Sequence, residues 1–445
     1  MAATMAVTVA VKMTGRPFKV TTRGAGPLWD TGGSDGMMAD MAIETSAAPE
    51  PTSDGSRPSP LPYDALLLYS FGGPNKPADV VPFLRNVTAG KGIPDARLEE
   101  VGEHYYGFGG KSPINGQNLA LKAALEAELA ARGIDLPVVW GNRNWEPYTR
   151  DAVAELAERG AQRAVALVTS AYSSYSGCRQ YREDLALTFE ARDELGPDGP
   201  TSIQFDKVRS YFNHPGFAQA NIDAVVEAYR ELAGRGAGES ADAVDGADSA
   251  ALAAEARLVF VTHSIPLTME AASAVSGATY SAQHLDLAGV VAEQVAAELG
   301  HPVSWTLAYC SRSGPPSQPW LEPDVNDLLG ELAESGVRAV VLSPIGFISD
   351  HMEVAYDLDT EALATARDLG LAAVRAGTVG TRAPFVSGLV DLVLERAALA
   401  RGDQVVEAAV GSLGAYSSVC RPGCCRRRDG EDSGVPALCS AGLYT

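Results

Sequence analysis

The feature that most restricts how this chain can fold is an internal repeat. Pro147-Tyr-Thr-Arg-Asp151-Ala-Val-Ala-Glu155-Leu-Ala-Glu-Arg-Gly160 matches Pro323-Asp-Val-Asn-Asp327-Leu-Leu-Gly-Glu331-Leu-Ala-Glu-Ser-Gly336 without a gap. After one slipped residue, Arg163-Ala-Val-Ala-Leu167 matches Arg338-Ala-Val-Val-Leu342. Each copy spaces its apolar residues as a helix does, turns at glycine, and ends in a short apolar run that reads as a buried strand. Helix and parallel strand alternating in two similar stretches predict an α/β fold: two Rossmann-like halves, each with a parallel sheet, and a cleft between them. At 445 residues, 46% apolar and 20% charged, the chain is long enough for two such cores.

Held in register, the repeat sets Ser174 against Ser349, Cys178 against Glu353 and Tyr181 against Tyr356, while Leu66-Leu-Leu-Tyr-Ser-Phe71 aligns with Leu258-Val-Phe-Val-Thr-His263. Phe71 and His263 become counterparts at strand ends, where ligands collect in an open parallel sheet. The second half therefore carries His263 and Glu353 where the first carries Phe71 and Cys178. An imidazole and a carboxylate facing one cavity bind a divalent cation or move protons near neutral pH. Taken singly, each has a plainer reading: His263 as a hydrogen-bonded core residue, Glu353 as the partner of an Asp350 capping box. Neither explains His351, nor the recurrence of Glu353, Asp357 and Glu361 at i, i+4 and i+8 of a predicted helix. Like charges at that spacing repel, so the stripe calls for a cation or bound water.

The net charge of -21 argues against a nucleic-acid partner. No apolar run reaches the ~18 residues of a membrane-spanning helix. Residues 1–62 are expected to be a disordered or mis-started extension: no acid precedes Asp30, and Pro, Ser and acids crowd the stretch before Tyr63. The halves at 63–233 and 257–400 flank an insertion, 234–256, whose Ala, Gly, Ser and Asp content reads as disordered. The loop Tyr105-Tyr-Gly-Phe-Gly-Gly-Lys-Ser-Pro113 reads either as a wall for a flat apolar ligand or as a plugged turn. A tail, 401–445, holds Cys420, Cys424, Cys425 and Cys439, whereas Cys178 and Cys310 stand alone. Without a secretory signal, metal ligation is favoured there over a disulfide framework.

Five motifs, in order, resemble those of the ferrochelatases: Leu66-Leu-Leu-Tyr-Ser-Phe-Gly72-Gly73-Pro74, Gly109-Gly110-Lys-Ser112-Pro113-Ile114, His263-Ser264-Ile-Pro266, Ser311-Arg-Ser-Gly314-Pro-Pro-Ser-Gln-Pro319-Trp320-Leu-Glu-Pro323, and Pro344-Ile-Gly-Phe-Ile-Ser-Asp350-His351-Met-Glu353. The resemblance covers roughly Tyr63 to Ala398. It implies a two-domain chelatase fold and insertion of ferrous iron into a porphyrin, without an organic cofactor. By the family pattern His263 and Glu353 are the iron-site pair, with His263 as proton acceptor. Ser112 and Tyr181 contact porphyrin carboxylates, and Asp350, His351, Asp357 and Glu361 line the metal path. Phe71 stands where some members place a Tyr axial ligand, His104 and Tyr105 where others carry basic residues, and Cys310 where Gln is common.

The tail resembles the cluster-bearing members found in Gram-positive bacteria, the branch that uses coproporphyrin III. In them one internal cysteine and three from the tail, here Cys178 with Cys420, Cys424 and Cys425, hold a [2Fe-2S] cluster. Zinc on the same residues, or free thiols, is the alternative, and Cys439 is a spare candidate. The resemblance thus implies a cytoplasmic enzyme making Fe-coproporphyrin III for heme b, with transient partners that supply or receive the porphyrin. Rival readings are a protoporphyrin IX ferrochelatase, a cobalt or nickel chelatase, and a non-catalytic tetrapyrrole carrier or Fe-S sensor.

Overall fold

The computed structural model describes residues 61–444 apart from 91, 194–202, 235–245, 275–276, 315–316, 422, 428–433 and 440–441. All but the last two residues of the expected N-terminal extension, and 235–245 of the expected insertion, lie outside the described residues. The first half runs β1 (Ala65–Ser70), α1 (Val80–Val87), α2 (Asp95–Tyr106), α3 (Ile114–Ala131), β2 (Val138–Asn142), α4 (Thr149–Glu158) and β3 (Arg163–Val168). A π-helical turn (Tyr175–Arg179) then leads into α5 (Gln180–Asp193), β4 (Gln204–Lys207) and α6 (Pro215–Gly234). After α7 (Gly246–Ala254) in the insertion, the second half runs β5 (Arg257–His263), α8 (Leu267–Ser273), α9 (Tyr280–Leu299), β6 (Trp305–Cys310), α10 (Val325–Glu334) and β7 (Ala339–Ser343). A longer π-helical segment (Glu353–Ala362) leads into α11 (Leu363–Asp368), β8 (Ala372–Arg375) and α12 (Ala383–Arg401); β9 (Ala437–Cys439) and β10 (Gly442–Tyr444) form a terminal hairpin.

The sheets have orders β2-β1-β3-β4 and β6-β5-β7-β8, parallel throughout, which is one topology used twice, as the repeat predicts. Every residue of β1 and β7 is buried. Helices cover both faces of such sheets, so their strands are continuous apolar runs rather than alternating ones. In each sheet the strand order reverses between the first and third strands, and a crevice opens past their ends.

The boundary between 63–233 and 257–400 separates the two sheets but not the helices that cover them. Helix α6 packs on β7 and β8 as well as on α9 and α12, and α12 packs back on α3. One core therefore runs through both halves, from Leu66 and Leu167 across Phe217, Val225 and Phe385 to Leu258 and Val341. Helices α6 and α12 meet through glycine: a Cβ on Gly216 would lie 2.3 Å from the Pro384 carbonyl oxygen. The reading of 234–256 as disordered is corrected at its C-terminal end. Gly246–Ala254 is helical and packs on α6, with Ala253 and Ala256 buried, because its alanines combine high helix propensity with small side chains.

Beyond α12 the tail is a strap across both halves. The Val410 N–H donates to the Asn213 carbonyl (2.8 Å) and Asn213 Nδ2 to that of Gly414 (2.7 Å). The Ser412 N–H reaches Asp286 (2.8 Å), and the Ala278 N–H donates to the Tyr416 hydroxyl (2.7 Å). These contacts carry Cys420–Cys425 toward Cys178. Among the described residues no helix is long and apolar enough to cross a membrane.

Candidate active site

Strand β5 ends at His263, and the loop after β7 leads to Glu353. Gly346 lets the two approach: a Cβ there would stand 2.0 Å from Thr262 Oγ1. That oxygen lies 2.7 Å from Tyr280 Oη and 2.9 Å from His284 Nε2, and the Tyr280 hydroxyl donates to the His263 carbonyl at 3.2 Å, fixing the end of β5.

His263 Nε2 lies 3.4 Å from Glu353 Oε1, and His351 Nε2 lies 3.8 Å from Glu353 Oε2. His263 Nδ1 faces the Ser264 carbonyl, which only accepts, so Nδ1 carries a proton and Nε2 turns to the carboxylate. The Glu353 N–H donates to His351 Nδ1 at 3.1 Å, leaving that ring's proton on Nε2. Burial works against charge on His263, but Glu353 outweighs it and lifts the imidazole to about 9. On His351 burial wins and the pKa falls below the usual value. Burial likewise opposes ionisation of Glu353, yet His263 and His351 hold it down to about 2. One carboxylate thus sits between a charged and a neutral imidazole. Asp357 is pushed up to about 7, chiefly by burial and then by Glu353 and Glu361, although the Ser311 hydroxyl donates to it.

The acidic segment is π-helical, not α-helical as its spacing predicts; the Thr360 hydroxyl donates to the Ala355 carbonyl, five residues back. Such widened turns recur at functional sites. Residues four apart still feel one another, as the response of Asp357 to Glu353 and Glu361 shows. Their repulsion is met in part by His263, by the Ser311 hydroxyl and by the raised pKa of Asp357. The capping-box reading of Asp350 fails. Its carboxylate accepts from Arg375 Nη1 and Thr378 Oγ1, each at 3.2 Å, and its N–H donates across the halves to Gln117 Oε1 at 2.8 Å.

The first half closes over these acids. His104 stacks on Tyr356 at 3.9 Å, and the Tyr105 hydroxyl is raised by burial and by Glu353 and Asp357. Ser112 is buried beside Gly73, its Oγ accepting the Ile114 N–H at 3.4 Å. Tyr181 is buried edge-on to Tyr69, with the Arg143 guanidinium 4.9 Å above its ring. Sequence reasoning gave no role to Ser311, Arg143 or Arg375; the aromatic, glycine-rich Tyr105 loop was the one signal that pointed to this wall. Cys310 is buried and its thiol is pushed well up by burial, an inert state.

Four of the other cysteines converge, while the side chain of Cys439, the spare candidate, lies outside the described residues. Cys178, on the first π-helical turn, is hydrogen-bonded to Cys420 and Cys425, and Cys424 to the same two. Cys178, Cys424 and Cys425 are buried. Thiol hydrogen bonds hold Cys178 well below the usual range and Cys424 at about 3, while Cys425 is raised. Among the described residues no group of three or more His, Cys, Asp or Glu is already spaced to hold a metal.

Among known proteins, the family model described as Ferrochelatase matches residues 63–397. A coproporphyrin III ferrochelatase of Leifsonia xyli subsp. xyli is 52% identical over 82% of this chain and 92% of that protein. One of Streptomyces griseus subsp. griseus is 50% identical over 83% and 95%. A solved structure, SirB from Bacillus subtilis with Fe3+, aligns over 76% of this chain and 97% of that one at 12% identity, with a TM-score of 0.42.

Proposed function

The chain belongs to the ferrochelatase family, and from that membership we propose that it inserts Fe(II) into coproporphyrin III to give Fe-coproporphyrin III for heme b. The observation that carries this reading is the 3.4 Å approach of His263 Nε2 to Glu353 Oε1 at the mouth of the second sheet. Relatives at about this similarity that are named for that activity support the substrate.

Metallation must strip two N–H protons from the ring while the iron sheds water. At rest His263 holds a proton, since its pKa is about 9. A dication arriving beside Glu353 drives that proton to Asp357 and on to solvent, and Nε2 then accepts the two pyrrole protons one after the other, passing each out by the same route. Asp357, near 7, exchanges protons at neutral pH, and Glu361 extends the acidic track outward. His351, neutral, and Asp350, held by Arg375, complete the metal path in this reading. Ser112 and Tyr181 are our candidates for porphyrin carboxylate contacts, and both are buried here.

We assign Cys178, Cys420, Cys424 and Cys425 to a [2Fe-2S] cluster. Four thiols is the number such a group takes, and here four are joined by mutual hydrogen bonds, with Cys178 and Cys424 held below the usual thiol range by those bonds. When bound, the cluster would supply a one-electron centre. No organic cofactor enters the scheme. We place the protein in the cytoplasm, where thiols stay reduced, with transient partners that supply or receive the tetrapyrrole and without nucleic acid.

The test is anaerobic Fe(II) with coproporphyrin III or protoporphyrin IX in parallel, followed by loss of free-porphyrin fluorescence. Faster metallation of protoporphyrin IX would overturn the substrate, and metallation of neither would overturn the activity.

A further inference from the structure

Two buried cations face the gathered thiols, both from the first half. Arg182, 4% exposed in the first turn of α5, directs Nη2 to Cys424 Sγ at 3.3 Å. Lys207, at the end of β4, donates to the Val208 carbonyl at 2.7 Å and shares with Cys178 a small cavity of about 10 Å³, lined also by Ser170 and Ser210. That volume suits about one water. Neighbouring cations are matched by carboxylates: Arg179 by Glu183 at 2.7 Å and Arg209 by Glu395 at 2.8 Å. Arg182 turns an N–H to sulfur. A guanidinium N–H aimed at a buried sulfur becomes a charge-assisted hydrogen bond once that sulfur ligates a metal as thiolate.

We propose that Arg182 is a positioning residue of the four-thiol site, and that it favours the reduced state of the group held there. The proposal rests on the cluster reading above. A dicationic core on four thiolates is a net dianion, and one-electron reduction makes it a trianion. An N–H···S bond and a fixed positive charge stabilise the second more than the first, which raises the midpoint potential. Lys207 adds to this across the small cavity beside Cys178.

The experiment reconstitutes the full chain anaerobically with iron and sulfide, records the visible spectrum, and titrates the bands against potential in wild type, Arg182→Gln, Arg182→Lys and Lys207→Gln. In Arg182→Gln, reduction is expected to weaken about tenfold or more, a fall of about 59 mV per tenfold for a one-electron couple. Arg182→Lys keeps the charge but loses the planar fork, so it should lie between. If Arg182→Gln takes up no cluster, the other two variants carry the test and should still show lowered midpoints. Intact bands with wild-type midpoints in every variant that holds the cluster would overturn this inference and leave the cluster reading standing. A wild-type protein without cluster bands would overturn both.

Discussion

Replacing Glu353 with Gln removes one charge while keeping the side chain's size, so it isolates what the carboxylate does to His263. At 3.4 Å and an effective dielectric near 20, the attraction between the two unit charges is about 5 kcal/mol. This is an upper bound, because the side chains are 32% and 43% exposed and solvent screens them. An opposite charge at such range is worth about 1–3 pH units to its partner. His263 should therefore titrate near 9 in the wild type and near or below its ordinary 6.5 in Glu353→Gln, where burial is left to act. NMR of the imidazole C–H signals measures this directly, with His263→Ala identifying the resonance among six histidines. Linkage gives a second readout. The raised His263 pKa makes the pair's stabilisation complete below 6.5 and lost as pH rises through about 9. The lowered Glu353 pKa makes it complete above 4.5 and lost as pH falls through about 2. The stability gap between wild type and Glu353→Gln should thus be widest between those two ordinary values and close toward alkaline pH. Metallation should fall about 10²–10⁴-fold, the range for losing a positioned acid or base. A His263 that still titrates near 9 without Glu353, or a variant that metallates at wild-type speed, would refute the reasoning.

Asp357→Asn should flatten the pH profile, because the wild type is expected to lose kcat/KM as pH falls through about 7 and Asp357 takes up a proton. With its folded pKa above the ordinary 3.8, ionised Asp357 opposes folding increasingly as pH rises toward 7, so the variant should gain Tm at about pH 8 and not at about pH 4. Gly216→Ala should cost about 1–3 kcal/mol in urea unfolding, since the new methyl meets the Pro384 carbonyl at 2.3 Å. Cys178→Ser should abolish the cluster's visible bands after reconstitution; full bands in that variant would remove Cys178 from the ligand set.

What could be read from the sequence was position. The repeat preserves the step from strand to loop to helical turn, so Phe71 and His263, and Cys178 and Glu353, fall at equivalent ends of β1 and β5 and on equivalent π-helical turns. The pairing of His263 with Glu353 followed from that equivalence, because β5 and β7 are neighbours in the sheet. The π-helical bonding was hidden: acids four apart look the same whether each turn closes on the fourth or the fifth residue. The exchange of covering helices was hidden as well, since an apolar stripe on α6 says that something is covered but not which sheet.

Partners were the least legible part, and the reason is physical. Asp350 has the chemistry of a helix cap and stands where one belongs, yet Arg375 and Thr378 take its carboxylate. Those residues arrive only when β8 pairs with β7 and brings Arg375 beside Leu342. The same holds for Asp357, whose pKa is raised chiefly by burial and held back by the Ser311 hydroxyl from the end of β6. A local pattern states what a side chain can do; the register of distant strands decides which of those things it does. Hence the His263–Glu353 pair, at the ends of neighbouring strands of one sheet, could be foreseen from the repeat, whereas the Tyr105 loop kept two readings, wall or plugged turn, that only the packing of one half against the other decides.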